Sequence, residues 1–106
     1  MQVVQVKLQK QKKLLSSITI SGHAGNLPEG ENLVCAGISS IVIGLLNAID
    51  NIAKDTCKIE VADGFTKIEV IKLTNKLEIV LNTGIIQLQT ISESYPDMIK
   101  IMEVDK

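Results

Sequence analysis

Residues 32–53 read NLVCAGISSIVIGLLNAIDNIA, and this stretch decides the architecture. Asn32 carries a side chain suited to capping a helix, because its oxygen accepts from the orphan N–H groups of the first turn. From there Ile38, Ile41, Val42, Leu45, Leu46, Ile49 and Ile52 recur at helical spacing as far as about Ala53. Val34 and Ile43 extend the apolar surface toward the other side. A helix apolar over so much of its circumference needs cover on more than one side. Ser39, Ser40, Gly44, Asn47 and Asp50 interrupt the run, which argues against a membrane span.

The segments on either side have the two-residue period of strands. Val4, Val6 and Leu8 alternate with Gln5 and Lys7, and Lys10-Gln11-Lys12-Lys13 reads as a solvated hairpin tip. Leu14 to Ser21 forms the returning strand, with Ile18 and Ile20 on one face. Beyond the helix, Cys57, Ile59 and Val61 alternate with Lys58 and Glu60, and Cys57 is read as packing. Ala62-Asp63-Gly64 makes a tight turn into a strand in which Ile68 and Val70 alternate with Lys67 and Glu69. From Asn75 to about Tyr95 the period changes. Leu77, Leu81, Gly84, Leu88, Ile91 and Tyr95 mark the seam of a second helix, capped by Thr74 or Asn75 and stopped by Pro96. Ile99-Lys100-Ile101 alternates again, a candidate last strand.

The resulting order is β-β-α-β-β-α-(β). Two hairpins and two amphipathic helices fit an α/β (α+β) two-layer sandwich: a mostly antiparallel sheet with two long helices. Residues 1–106 form one domain by size. Hydrophobic residues make up 45% and aromatics only 2%, so the core must be built from Ile, Leu and Val. The net charge of -1 lacks the excess of basic residues expected for direct nucleic-acid binding. Met1-Gln2-Val3-Val4 does not begin a signal peptide, and two cysteines without one read as reduced thiols of a cytoplasmic protein. One His and two Cys are too few for a closed zinc site, so no metal or cofactor is expected.

The chemistry concentrates in two neighbouring segments. His23, the only histidine, lies in Ser21-Gly22-His23-Ala24-Gly25, and Cys35 follows twelve residues later in Val34-Cys35-Ala36-Gly37-Ile38-Ser39. Between them a glycine-containing loop runs to Gly30. Cysteine attacks as the thiolate, and a helix N-terminus favours negative charge through its orphan N–H groups and its dipole. Cys35 falls in the predicted first turn, where imidazole can take its proton and backbone N–H groups near 35–36 can meet an oxyanion. Ser39, one turn on, shares the face of Cys35. The plainer readings stand beside these: a lone Cys at a helix start is often a small buried hydrophobe, and a His beside glycine a turn residue.

Ser-Gly-His-Ala-Gly at 21–25, Gly30, and Val-Cys-Ala-Gly-Ile-Ser at 34–39 resemble the signature of the bacterial ribosomal-processing cysteine protease family Prp. The His–Cys gap and the closing Ser94-Tyr95-Pro96 also agree with that family. The resemblance implies a cysteine endopeptidase that removes the N-terminal extension of a large-subunit ribosomal protein precursor. Carried over, Cys35 is the nucleophile and His23 the base. Gly22, Gly25, Gly30, Asn32, Ala36 and Ser39 are substrate-binding or supporting residues. It also implies a homodimer, acting without metal, membrane or direct nucleic-acid contact. The chain departs from the family where Asn26 and Glu29 replace loop aromatics and where Asn32 replaces an aspartate. The alternative is a non-catalytic, ribosome-associated dimeric interaction module. Another thiol chemistry, such as peroxide sensing or acyl transfer, is a third reading.

Overall fold

The computed structural model describes residues 3–22 and 32–106. Strands β1 (Val4–Gln11) and β2 (Leu14–Ser21) precede helix α1 (Leu33–Ile52). Strands β3 (Cys57–Ala62) and β4 (Phe65–Val70) then lead to helix α2 (Asn75–Ser94) and strand β5 (Ile99–Asp105). The sheet order is β3-β4-β2-β1-β5. Three pairings are antiparallel, while β5 lies parallel to β1, with Val4 opposite Ile99. The expected mostly antiparallel two-layer sandwich is therefore present, with the last strand real and the sheet mixed.

Residues of one parity fill the core. Val4, Val6 and Leu8 of β1, Ile18 and Ile20 of β2, Ile68 of β4 and Ile99 of β5 are all buried. Lys7, Gln5, Glu69 and Lys100, of the opposite parity, are exposed. Both helices must therefore cover the same face. Helix α1 meets it through Val34, Ile38, Val42, Leu45 and Ile49. Helix α2 contributes Leu77, Val80, Leu81 and Leu88. Each fully buried Leu or Ile contributes about 1.5–3 kcal/mol. The helices approach closely where Gly84 lacks a side chain: a Cβ there would lie 2.9 Å from Leu45 Cδ2. The α2 seam ends at Ile91, since Tyr95 lies past the last helical residue and is exposed.

Two local features differ from the sequence expectation. Strand β1 continues through Lys10 and Gln11, so the hairpin tip is Lys12-Lys13 alone. Both lysines take positive φ, 53° and 67°, the conformation that a two-residue hairpin turn demands and that Asn-Gly usually supplies. Strand β3 alternates as read, but it lies at the sheet edge. Ile59 and Val61 share the core-facing parity of their partners Ile68 and Thr66, yet both remain exposed.

Candidate active site

Asn32 begins the site. Its backbone is extended (φ -93°, ψ 102°), and its buried side chain accepts from the Cys35 N–H at 3.0 Å. This places Cys35 third in the helix, within the first turn, as the sequence predicts. That turn carries no acidic side chain. The capping bond has a chemical consequence. The Cys35 N–H goes to Asn32 Oδ1 and the Ala36 N–H to the Asn32 carbonyl at 3.0 Å. Both donors that the sequence offers to an oxyanion are thus engaged. Among the described residues, the first-turn donors not spent this way are the N–H groups of Leu33 and Val34.

Cys35 is half-buried and opens on a cleft of about 250 Å³ between α1 and the β3–β4 turn. Gly22 and Ser39 line the same cleft. Ile20, Ile38, Val42 and Phe65 supply apolar walls. Gly22 has a φ of +95°, and a Cβ on it would sit 2.7 Å from the Val3 carbonyl oxygen. Glycine is therefore required where β2 hands the chain to the loop. The Gly22 N–H donates to the Gly64 carbonyl at 2.9 Å, tying that exit to the β3–β4 turn.

The structure thus brings together Gly22, Cys35 and Ser39. Asn32 supports them from below, and Ala36 is exposed away from the cleft lining. His23, Gly25 and Gly30, with Asn26 and Glu29, lie outside the described residues. Cleft residues that the sequence reading did not single out for the site include Asp63, read there only as part of a turn, Phe65 and Thr66. Among the described residues no cluster of His, Cys, Asp and Glu could hold a metal ion.

Cys57 behaves differently from Cys35. It packs against the core, as expected, and its sulfur lies 3.8 Å from the Thr56 hydroxyl. Burial pushes the Cys57 thiol up, and the Thr56 contact offsets this only in part. Cys57 should therefore stay protonated at neutral pH. Iodoacetamide labelling followed by peptide mapping is expected to modify Cys35 first, with Cys57 labelled only on unfolding or at high pH. Equal rates would show that neither thiol is distinguished by its site.

The profile of the cysteine protease Prp family matches residues 3–100. The chain is 33% identical over 93 residues to the ribosomal processing cysteine protease Prp of Mycoplasma pneumoniae, covering 84% of this chain and 88% of that protein. It is 30% identical over 90 residues to the Staphylococcus aureus protein of the same name, covering 82% and 85%. The fold matches the crystal structure of an essential ribosomal processing protease Prp from S. aureus in complex with a covalently linked product peptide. The TM-score is 0.89 at 26% identity, over 95% of this chain and 99% of that one. A second S. aureus structure, with a substrate peptide, superposes with a TM-score of 0.80.

Proposed function

This chain belongs to the cysteine protease Prp family, and on that premise we propose that it removes the N-terminal extension of a large-subunit ribosomal protein precursor. The observation that carries the reading is Cys35 in the first turn of α1, opening on a cleft whose opposite wall includes Gly22, the residue before His23 in the sequence. Its sulfur attacks the scissile carbonyl, and His23 takes the thiol proton. The tetrahedral intermediate collapses to a thioester on Cys35 as His23 returns the proton to the leaving amine. Water, deprotonated by His23, then releases the extension. The first-turn N–H groups of Leu33 and Val34 suit the oxyanion better than those already bound to Asn32. The Asn32 amide caps the helix and, unlike an aspartate, carries no negative charge to stabilise an imidazolium.

The protein acts in the cytoplasm as a homodimer. Exposed Ile52 and Ile79 beside the groove between α1 and α2 support the dimer, since apolar side chains of this size gain by mutual burial. Sedimentation equilibrium is expected to give twice the chain mass of 11.5 kDa, and a mass that stays at one chain at high concentration would refute it.

Incubation with the host's precursor, followed by sequencing of the product, tests the substrate. One new N-terminus at the end of the extension is expected. Cosedimentation with ribosomes while the precursor stays intact would favour a binding module instead.

A further inference from the structure

The cleft beside Cys35 combines apolar walls with the small polar residues Ser39 and Thr66. Ile20, Ile38, Val42 and Phe65 wall it, and among the described residues that line it Asp63 alone is charged. Asp63 and Gly64 form the two-residue turn between β3 and β4, in which Ala62 pairs with Phe65. Gly64 takes a φ of +65°, and its carbonyl accepts the Gly22 N–H at 2.9 Å. That bond ties the turn that carries Asp63 to the chain exit at Gly22, the residue before His23 in the sequence. Among the described residues Asp63 makes no ion pair. An exposed carboxylate that lines a cleft with apolar walls and is unpaired among the described residues complements a ligand that supplies a cation.

Bulk charge does not provide this discrimination. Eleven Lys and Arg residues nearly balance twelve Asp and Glu, so the net charge of -1 draws a basic peptide weakly from a distance. Selection for a cation must come from a local contact.

We infer that Asp63 is a specificity-determining residue. Its carboxylate selects substrate peptides that place a lysine or arginine beside the apolar residue seated in the Cys35 cleft. The inference rests on the protease reading and deepens it. The pair is exposed, so its effect is modest, and it is screened by salt.

The test uses peptides spanning the junction of the host precursor, with each Lys or Arg replaced singly by norleucine, which keeps the stem and removes the charge. Asp63→Asn is the first variant, because Asn retains the capacity to form the turn. It is expected to lower kcat/KM on the parent peptide roughly two- to fivefold at low ionic strength. The loss should shrink in high salt and vanish on the one norleucine peptide whose cation met Asp63. Asp63→Lys should cost more on the parent and recover on a peptide bearing Glu at that position. A wild type that cuts the parent while Asp63→Asn cuts it equally well overturns the inference alone. An equal loss on every norleucine peptide also overturns it, because the turn and not the charge then matters. A wild type that cuts none of the peptides overturns the protease reading and the inference together.

Discussion

Cys35→Ser is expected to leave no measurable processing of the ribosomal precursor, and His23→Ala to lower kcat/KM on the order of 10³-fold or more. The reason for the first lies in where α1 begins. The thiol sits in the first turn, on the wall of the cleft, where it is open to a substrate carbonyl. A hydroxyl in the same place is a far poorer nucleophile without a base matched to it. His23 is the chain's only imidazole, so no other side chain offers a neutral base at physiological pH. Cys35→Ser removes no core contact: Cys35 is half-buried, and serine keeps nearly its shape. A thermal melt of Cys35→Ser should therefore overlay the wild type, while a peptide-cleavage assay separates both variants from it. Processing retained by Cys35→Ser would move the chemistry elsewhere.

Gly22→Ala is expected to damage the fold and the activity together. Its φ of +95° disfavours any Cβ, and that Cβ would press to 2.7 Å from the Val3 carbonyl oxygen, a backbone atom that cannot rotate away. Strain of this kind costs about 1–3 kcal/mol. Relief requires moving the chain exit, which breaks the Gly22–Gly64 hydrogen bond and shifts the segment leading to His23. Urea unfolding should show the stability loss. Activity at a temperature where the variant is still folded should fall further than stability accounts for. Gly44→Ala is the control. Its Cβ would meet nothing within 4 Å, and alanine is favoured over glycine inside a helix by about 1 kcal/mol. Wild-type stability and activity in Gly22→Ala would remove glycine's conformational role from the account.

What could be read in the sequence was local. The Asn32 cap and the span of α1 follow from a side-chain oxygen and a period repeated within twenty residues. The seam from Leu77 to Leu88 was legible for the same reason. The parallel pairing of β5 with β1 was not, because it joins residues at opposite ends of the chain and leaves no local mark. Lys12 and Lys13 hid the true end of β1, since lysine gives no sign of a left-handed turn. The alternation of Ile59 and Val61 correctly gave a strand, but alternation does not say whether a strand lies inside a sheet or at its edge. At the site, the position of Cys35 was legible through the helix cap. The same cap, an Asn three residues before the cysteine, already implied that the Cys35 N–H is spoken for. Asp63 was not legible, because only the fold of the β3–β4 hairpin against α1 carries it to the cleft.

The account turns on Cys35 as the nucleophile, and a substrate-directed trap tests this most directly. A peptide carrying the last residues of the precursor's extension, ending in a vinyl sulfone, reacts with an attacking thiolate and holds it. Peptide mapping by mass spectrometry is predicted to find one adduct, on Cys35, with Cys57 unmodified and labelling blocked by excess substrate peptide. An adduct on Cys57, or an enzyme that cuts the precursor while Cys35 stays free of the trap, would contradict it.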